Sequence, residues 1–139
     1  MELLLVEDNP GDVRLTQEAF QECHVPVNFT VAYDGIEALD VLNRRGLYSH
    51  APRPDLILLD LNLPGKNGRE VLLEIKADDD LRRIPVIIMT TSTAHQDVQR
   101  AYNLNANCYI TKPVEFEQFV RVIKSIGDFW LTTATLPRA

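Results

Sequence analysis

Three stretches of this chain, Leu3-Leu4-Leu5-Val6, Asp55-Leu56-Ile57-Leu58-Leu59 and Val86-Ile87-Ile88-Met89, are apolar at nearly every position. A strand with one wet face alternates, so unbroken runs of this length belong to strands covered on both sides. Two further runs, residues 27–32 and 107–111, mix β-branched and aromatic residues with polar ones, as sheet edges do. Helical spacing fills the gaps. Asn9-Pro10 offers an N-cap and a first-turn proline ahead of Val13, Thr16, Phe20 and Cys23. Ala38, Leu39 and Leu42 mark a second helix, Val71, Leu72 and Ile75 a third, Ala94, Val98 and Ala101 a fourth, and residues 115–130 a fifth. Strict alternation of strand and helix predicts an α/β doubly wound fold: a five-stranded parallel sheet with right-handed crossovers and helices on both faces. In the order 2-1-3-4-5 the first and third strands meet at the switch point, where ligands collect outside the carboxyl ends.

At 139 residues the chain suits one domain, residues 1–139, with a core over about 1–130 and a short tail at 131–139. Its net charge of −6 is the wrong sign for tracking a phosphate backbone, so no nucleic-acid partner is expected. No apolar run approaches the roughly eighteen residues of a spanning helix, which points to a cytoplasmic protein with no membrane association. Cys23 and Cys108 lack a CxxC spacing, and His24, His50 and His95 are scattered, so neither set is assigned chemistry.

Function is therefore sought just after each strand. Those positions hold Glu7 and Asp8, then Asp60, Thr90 and Lys112. Carboxylates brought this close repel one another and rise in pKa unless a cation neutralises them. Magnesium fits, because it takes oxygen ligands and needs only one or two carboxylates beside waters and a phosphate oxygen. Asp8 and Asp60 are the expected direct ligands, with Glu7 acting through water. Asp60, at the centre, is the expected nucleophile toward phosphorus, with Lys112 and Thr90 placed to steady the transferred charge.

The set Glu7-Asp8, Asp60 in Leu-Asp-Leu-Asn-Leu-Pro-Gly-Lys-Asn-Gly, Thr90 in Ile-Met-Thr-Thr-Ser, and Lys112-Pro113 resembles the signature of response-regulator receiver domains, over about residues 1–128. The resemblance implies a flavodoxin-like receiver fold and a two-component signalling protein, not an enzyme, that assists its own phosphorylation and dephosphorylation. It implies Asp60 as phosphoacceptor, and Mg2+ or Mn2+ held by Glu7, Asp8, Asp60 and the backbone carbonyl of Asn62. It further implies a switch pair of Thr90 and Tyr109, and a cis Lys112-Pro113 bond. More narrowly, Asp8-Asn9-Pro10-Gly11-Asp12, the long 44–54 connection and the aromatic last helix are similar to the small cyanobacterial phytochrome response regulators. That implies a sensor histidine kinase partner of the phytochrome type and no DNA-binding output domain.

Two apolar stripes run along the fifth helix: Phe116, Val120, Ile123 and Trp130, and beside them Phe119, Val122, Ile126 and Phe129. One stripe suffices to cover a sheet. The second is the expected interface of a homodimer formed through helix four, strand five and helix five. A magnesium-dependent phosphohydrolase is the rival reading, but the residue two past its aspartate would be a second aspartate, and here it is Asn62, which cannot do acid-base work.

Overall fold

The computed structural model describes residues 1–23 and 25–137. His24 and the last two residues of the expected tail lie outside the described residues. The strands β1 (Glu2–Val6), β2 (Asn28–Ala32), β3 (Leu56–Leu59), β4 (Val86–Thr90) and β5 (Cys108–Thr111) form one sheet in the order β2-β1-β3-β4-β5. Every pairing is parallel, with Leu5 opposite both Val31 and Leu58, and Ile88 opposite Tyr109. The doubly wound order expected from the sequence is the one observed.

The unbroken apolar runs have a simple cause. Leu4, Val6, Ile57, Leu59, Val86 and Ile88 point to one face of the sheet, into a core shared with α2 (Gly35–Leu42) and α3 (Gly68–Ala77). Their chain neighbours Leu3, Leu5, Leu56, Leu58, Ile87 and Met89 point to the other, where α1 (Pro10–Phe20) and α5 (Phe116–Ile126) pack. The period of two splits each run between two cores, so neither face can be polar.

Local signals start the helices. Asn9 accepts from the N–H groups of Gly11 and Asp12, Asp34 from that of Glu37, and Asn67 from that of Glu70, each satisfying donors that a first turn leaves open. The last helix continues as a wider π-helical winding over Gly127–Thr133. Gly127 sits where that winding crosses the end of α1: an added Cβ would lie 2.3 Å from Cys23 Sγ. Helix α4 (His95–Asn103) is the exception to apolar docking, since Ala101 is its one buried residue and Val98, expected in the core stripe, is only half-buried.

The expected interface residues are corrected in part. Phe119 and Ile126 are buried with Ile123 in the core against α1, so the stripe that covers the sheet is Phe119-Ile123-Ile126, at spacings of four and three. At 100° per residue the true face runs between the two stripes read from the sequence, taking members of each. Val122 is half-buried and Phe129 is 52% exposed, so these two of the four reach the surface. Ile123 is 0% exposed and Phe116 59%. Ile123→Ala is therefore expected to lower the unfolding free energy by about 2–5 kcal/mol and Phe116→Ala by no more than about 0.5, read from urea denaturation. The reverse order would show that the buried stripe is misassigned.

Candidate functional site

Strand pairing continues past the formal strand ends and sets the site. The N–H of Glu7 donates to the Ala32 carbonyl at 3.0 Å, that of Asp60 to Val6 at 3.1 Å, and that of Lys112 to Thr90 at 2.6 Å. Glu7, Asp60, Thr90 and Lys112 are thus held by their backbones at the carboxyl edge of the sheet. Gly68 closes the floor, because a Cβ there would lie 2.2 Å from the Asp60 carbonyl oxygen, a distance only glycine permits.

Residues expected together are together. Glu7, Asp8 and Asp60 present carboxylate oxygens within 4.8 Å of one another, Glu7 and Asp60 buried and Asp8 exposed. Lys112 Nζ enters this cluster, donating to Glu7 Oε2 at 2.7 Å, Asp12 Oδ2 at 3.0 Å and Asp60 Oδ2 at 3.2 Å. Two backbone groups add support: Asn9 N–H donates to Glu7 Oε1 at 3.1 Å and Asn62 N–H to Asp60 Oδ1 at 2.9 Å.

The charges do not balance. Burial pushes the Glu7 carboxyl up to about 7, against the pull of Lys112 and with the Asp60 charge adding to the rise. Burial acts to lower the Lys112 ammonium, yet its hydrogen bond and attraction to Glu7, with Asp60 and Asp12 behind, hold it above the usual lysine range. The two shifts differ in cause: burial outweighs the ammonium at Glu7, whereas the surrounding carboxylates outweigh burial at Lys112. An all-oxygen donor set with surplus negative charge fits a hard divalent cation such as Mg2+ or Mn2+. Lys112 and the fully buried Thr90 offer donors to an anionic oxygen group arriving beside it.

Thr90 Oγ1 accepts from the Asn62 side-chain amide at 3.2 Å. Tyr109, half-buried, donates its hydroxyl to the Ser92 carbonyl at 2.9 Å, tying β5 to the loop after β4. One expectation fails: no peptide bond among the described residues is cis, so Lys112–Pro113 is trans. The Lys112 side chain spans the distance to the acids from a trans backbone, and trans is favoured by about 0.5–1 kcal/mol for an ordinary X-Pro bond. Asp12 was missed as a site residue. Its signal was available, since it lies in the first turn of α1 one helical turn beyond Asp8.

Comparison with known proteins agrees with this geometry. The family model for the response regulator receiver domain matches residues 3–124. Response regulator Rcp1 of Synechocystis sp. is 47% identical over 137 residues, 99% of this chain and 93% of that protein. Among solved structures, the phosphorylated cyanobacterial phytochrome response regulator RcpA superposes with a TM-score of 0.96 at 51% identity, covering 99% of this chain and 98% of the other. The Mn2+-bound form of Rcp1 superposes with a TM-score of 0.95 at 46% identity, covering 99% of each chain.

Without a divalent cation, Lys112 supplies the positive charge that holds Glu7, Asp12 and Asp60 together. Lys112→Ala in the presence of chelator is expected to cost about 3–5 kcal/mol of stability near pH 8, since it strands buried charge. Glu7 titrates at about 7 folded against an ordinary 4.5. Folding thus favours its protonated form, a contribution present below 4.5 and lost as pH rises through 7. The Lys112→Ala deficit should therefore shrink toward about pH 5. Denaturant titrations at both pH values check this; an equal deficit at each would contradict the charge account.

Proposed function

Because the chain belongs to the response-regulator receiver family, we propose that it works as a single-domain phosphoacceptor, residues 1–139, taking a phosphoryl group on Asp60 from a sensor histidine kinase of the phytochrome type. Signalling, not turnover of a substrate, is the work of this family. The observation that carries the reading is the clustering of the Glu7, Asp8 and Asp60 carboxylates, with the Lys112 ammonium hydrogen-bonded to Glu7 and Asp60, beside the buried Thr90 hydroxyl. Likeness to the cyanobacterial phytochrome response regulator RcpA over nearly the whole chain supports the kinase class. The absence of a long apolar helix among the described residues is compatible with action in the cytoplasm.

In the transfer, the P–N bond to the kinase imidazole breaks as a P–O bond forms to an Asp60 carboxylate oxygen, giving an acyl phosphate. The released imidazole recovers its proton from solvent. Asp8, Asp60 and the Asn62 carbonyl would hold Mg2+ or Mn2+, with Glu7 behind them. The bound cation supplies positive charge where phosphoryl oxygens gather. Lys112 exchanges its Asp60 contact for a phosphoryl oxygen and offsets the added negative charge. Thr90 turns its hydroxyl from the Asn62 amide toward the same group, and Tyr109 follows in the space vacated. Hydrolysis of the acyl phosphate by water at the same site returns Asp60 to its carboxylate.

Output leaves through a surface. A groove of about 580 Å3 beside β5 and α5 is lined by Ile110, Val122, Ile126, Phe129 and Trp130. Its apolar lining suits a second copy of this chain, giving a homodimer across α4, β5 and α5.

Incubation with acetyl phosphate and Mg2+ should give a hydroxylamine-sensitive mass increase on Asp60 that Asp60→Asn abolishes; full labelling of the variant would end this reading. For the dimer, Val122→Asp should shift sedimentation from dimer to monomer. A wild-type protein that sediments as a monomer both unmodified and phosphorylated would refute that part alone.

A further inference from the structure

Helix α4 poses a packing problem. Its sequence His95-Gln96-Asp97-Val98-Gln99-Arg100-Ala101-Tyr102-Asn103 buries one alanine, whereas α1, α2, α3 and α5 each bury three or more residues. So small an apolar contact cannot fix its position, and polar contacts must do so.

Those contacts converge on one carboxylate. Asp97, in the first turn of α4, pairs with the Arg69 guanidinium through Oδ1 and accepts from the Ser92 hydroxyl through Oδ2 at 2.6 Å. Ser92 lies in the loop after β4, two residues past Thr90, and its Oγ accepts from the N–H of Ala94 at 3.3 Å while its carbonyl accepts the Tyr109 hydroxyl. The hydrogen bonds from Ser92 and Arg69 hold the Asp97 carboxyl below the usual range, so it stays charged at neutral pH. Arg69 follows Gly68, the residue pressed against the Asp60 carbonyl, so its backbone starts from the floor of the phosphoacceptor site. Its Nε is buried and, among the described residues, the one buried side-chain nitrogen or oxygen without a partner. A charged group with an unmet donor has capacity for a further anionic oxygen and sits in a costly state until it finds one.

We propose that Arg69, Asp97 and Ser92 form a polar latch that positions α4 and the loop after β4, and that Arg69 is the member that responds when Asp60 carries a phosphoryl group. The second half rests on the phosphoacceptor reading; the first does not. A phosphoryl group on Asp60 brings about two negative charges and three acceptor oxygens to the residue whose backbone Gly68, the neighbour of Arg69, is packed against. Arg69 then divides its attraction between that group and Asp97, the hold on α4 weakens, and the face carrying α4 is released to a new arrangement. Arg69 is a positioning residue here, not a catalytic one.

Amide exchange in the full-length protein tests this. With chelator present and no phosphodonor, Arg69→Ala and Asp97→Asn should each speed exchange across residues 95–103 by about tenfold, leaving α1 unchanged. Raised salt should move the wild type the same way, and Arg69→Lys should restore part of the protection. Exchange in α4 within about twofold of wild type in both variants overturns the latch. On adding acetyl phosphate and Mg2+, wild-type α4 should exchange faster, and Arg69→Ala should lose that response; an undiminished response in the variant overturns the role of Arg69. If wild-type Asp60 takes no label, the phosphoacceptor reading fails and the response role of Arg69 with it, while the chelator experiment still decides the latch.

Discussion

The ammonium of Lys112 is what allows this sheet edge to exist in the unliganded protein. Two unit charges about 4 Å apart repel by about 4 kcal/mol at the effective dielectric of a protein surface, and Glu7, Asp8, Asp60 and Asp12 make several such pairs. One lysine hydrogen-bonded to three of them offsets much of that cost and leaves a remainder of negative charge. The remainder is useful. A site already neutral would have little to gain from a divalent cation, whereas one poised with surplus negative charge gains from the cation and then tolerates a phosphoryl group.

Chain topology makes that meeting possible between residues as far apart as Glu7 and Lys112. Parallel pairing directs every strand's carboxyl end to the same edge, and the order β2-β1-β3-β4-β5 sets β1 and β3 side by side at the point where the winding reverses. The helices α1 and α3 then contribute their first turns, Asp12 from one and the Gly68 floor from the other. The two apolar cores hold the sheet rigidly from both sides, so the acids cannot drift apart to relieve their repulsion.

Most of this was legible in the residues, because the information was local. Apolar runs such as Leu3 to Val6 announce buried parallel strands, and Asn9-Pro10 announces a helix start, without reference to the rest of the chain. Once the strands are placed, Glu7, Asp8, Asp60, Thr90 and Lys112 follow as strand-end residues. What escaped depended on rotation and reach. The buried stripe of α5 took residues from both stripes seen in the sequence, since the two stripes adjoin on the helix surface and only the packed partner decides where the buried face is centred. The Lys112–Pro113 bond is trans, and bond geometry at a proline has no local signature. The Arg69–Asp97 pair joins two helices 28 residues apart, and no periodicity links such surface charges before the fold brings them together.

The weak apolar docking of α4 is best understood as a requirement of signalling by charge. A ligand shifts a conformational equilibrium by no more than its differential affinity for the two states. A helix held by three or four buried aliphatic side chains, as α3 is by Val71, Leu72 and Ile75, lies beyond the reach of one added phosphoryl group. A helix held by Ala101 and a handful of polar contacts lies within it. Attachment by ion pair and hydrogen bond also makes the hold on α4 sensitive to charge, as attachment by buried aliphatic side chains is not. On this view the polar sequence of α4 is the condition for that helix to move while the apolar cores on either side of the sheet stay as they are.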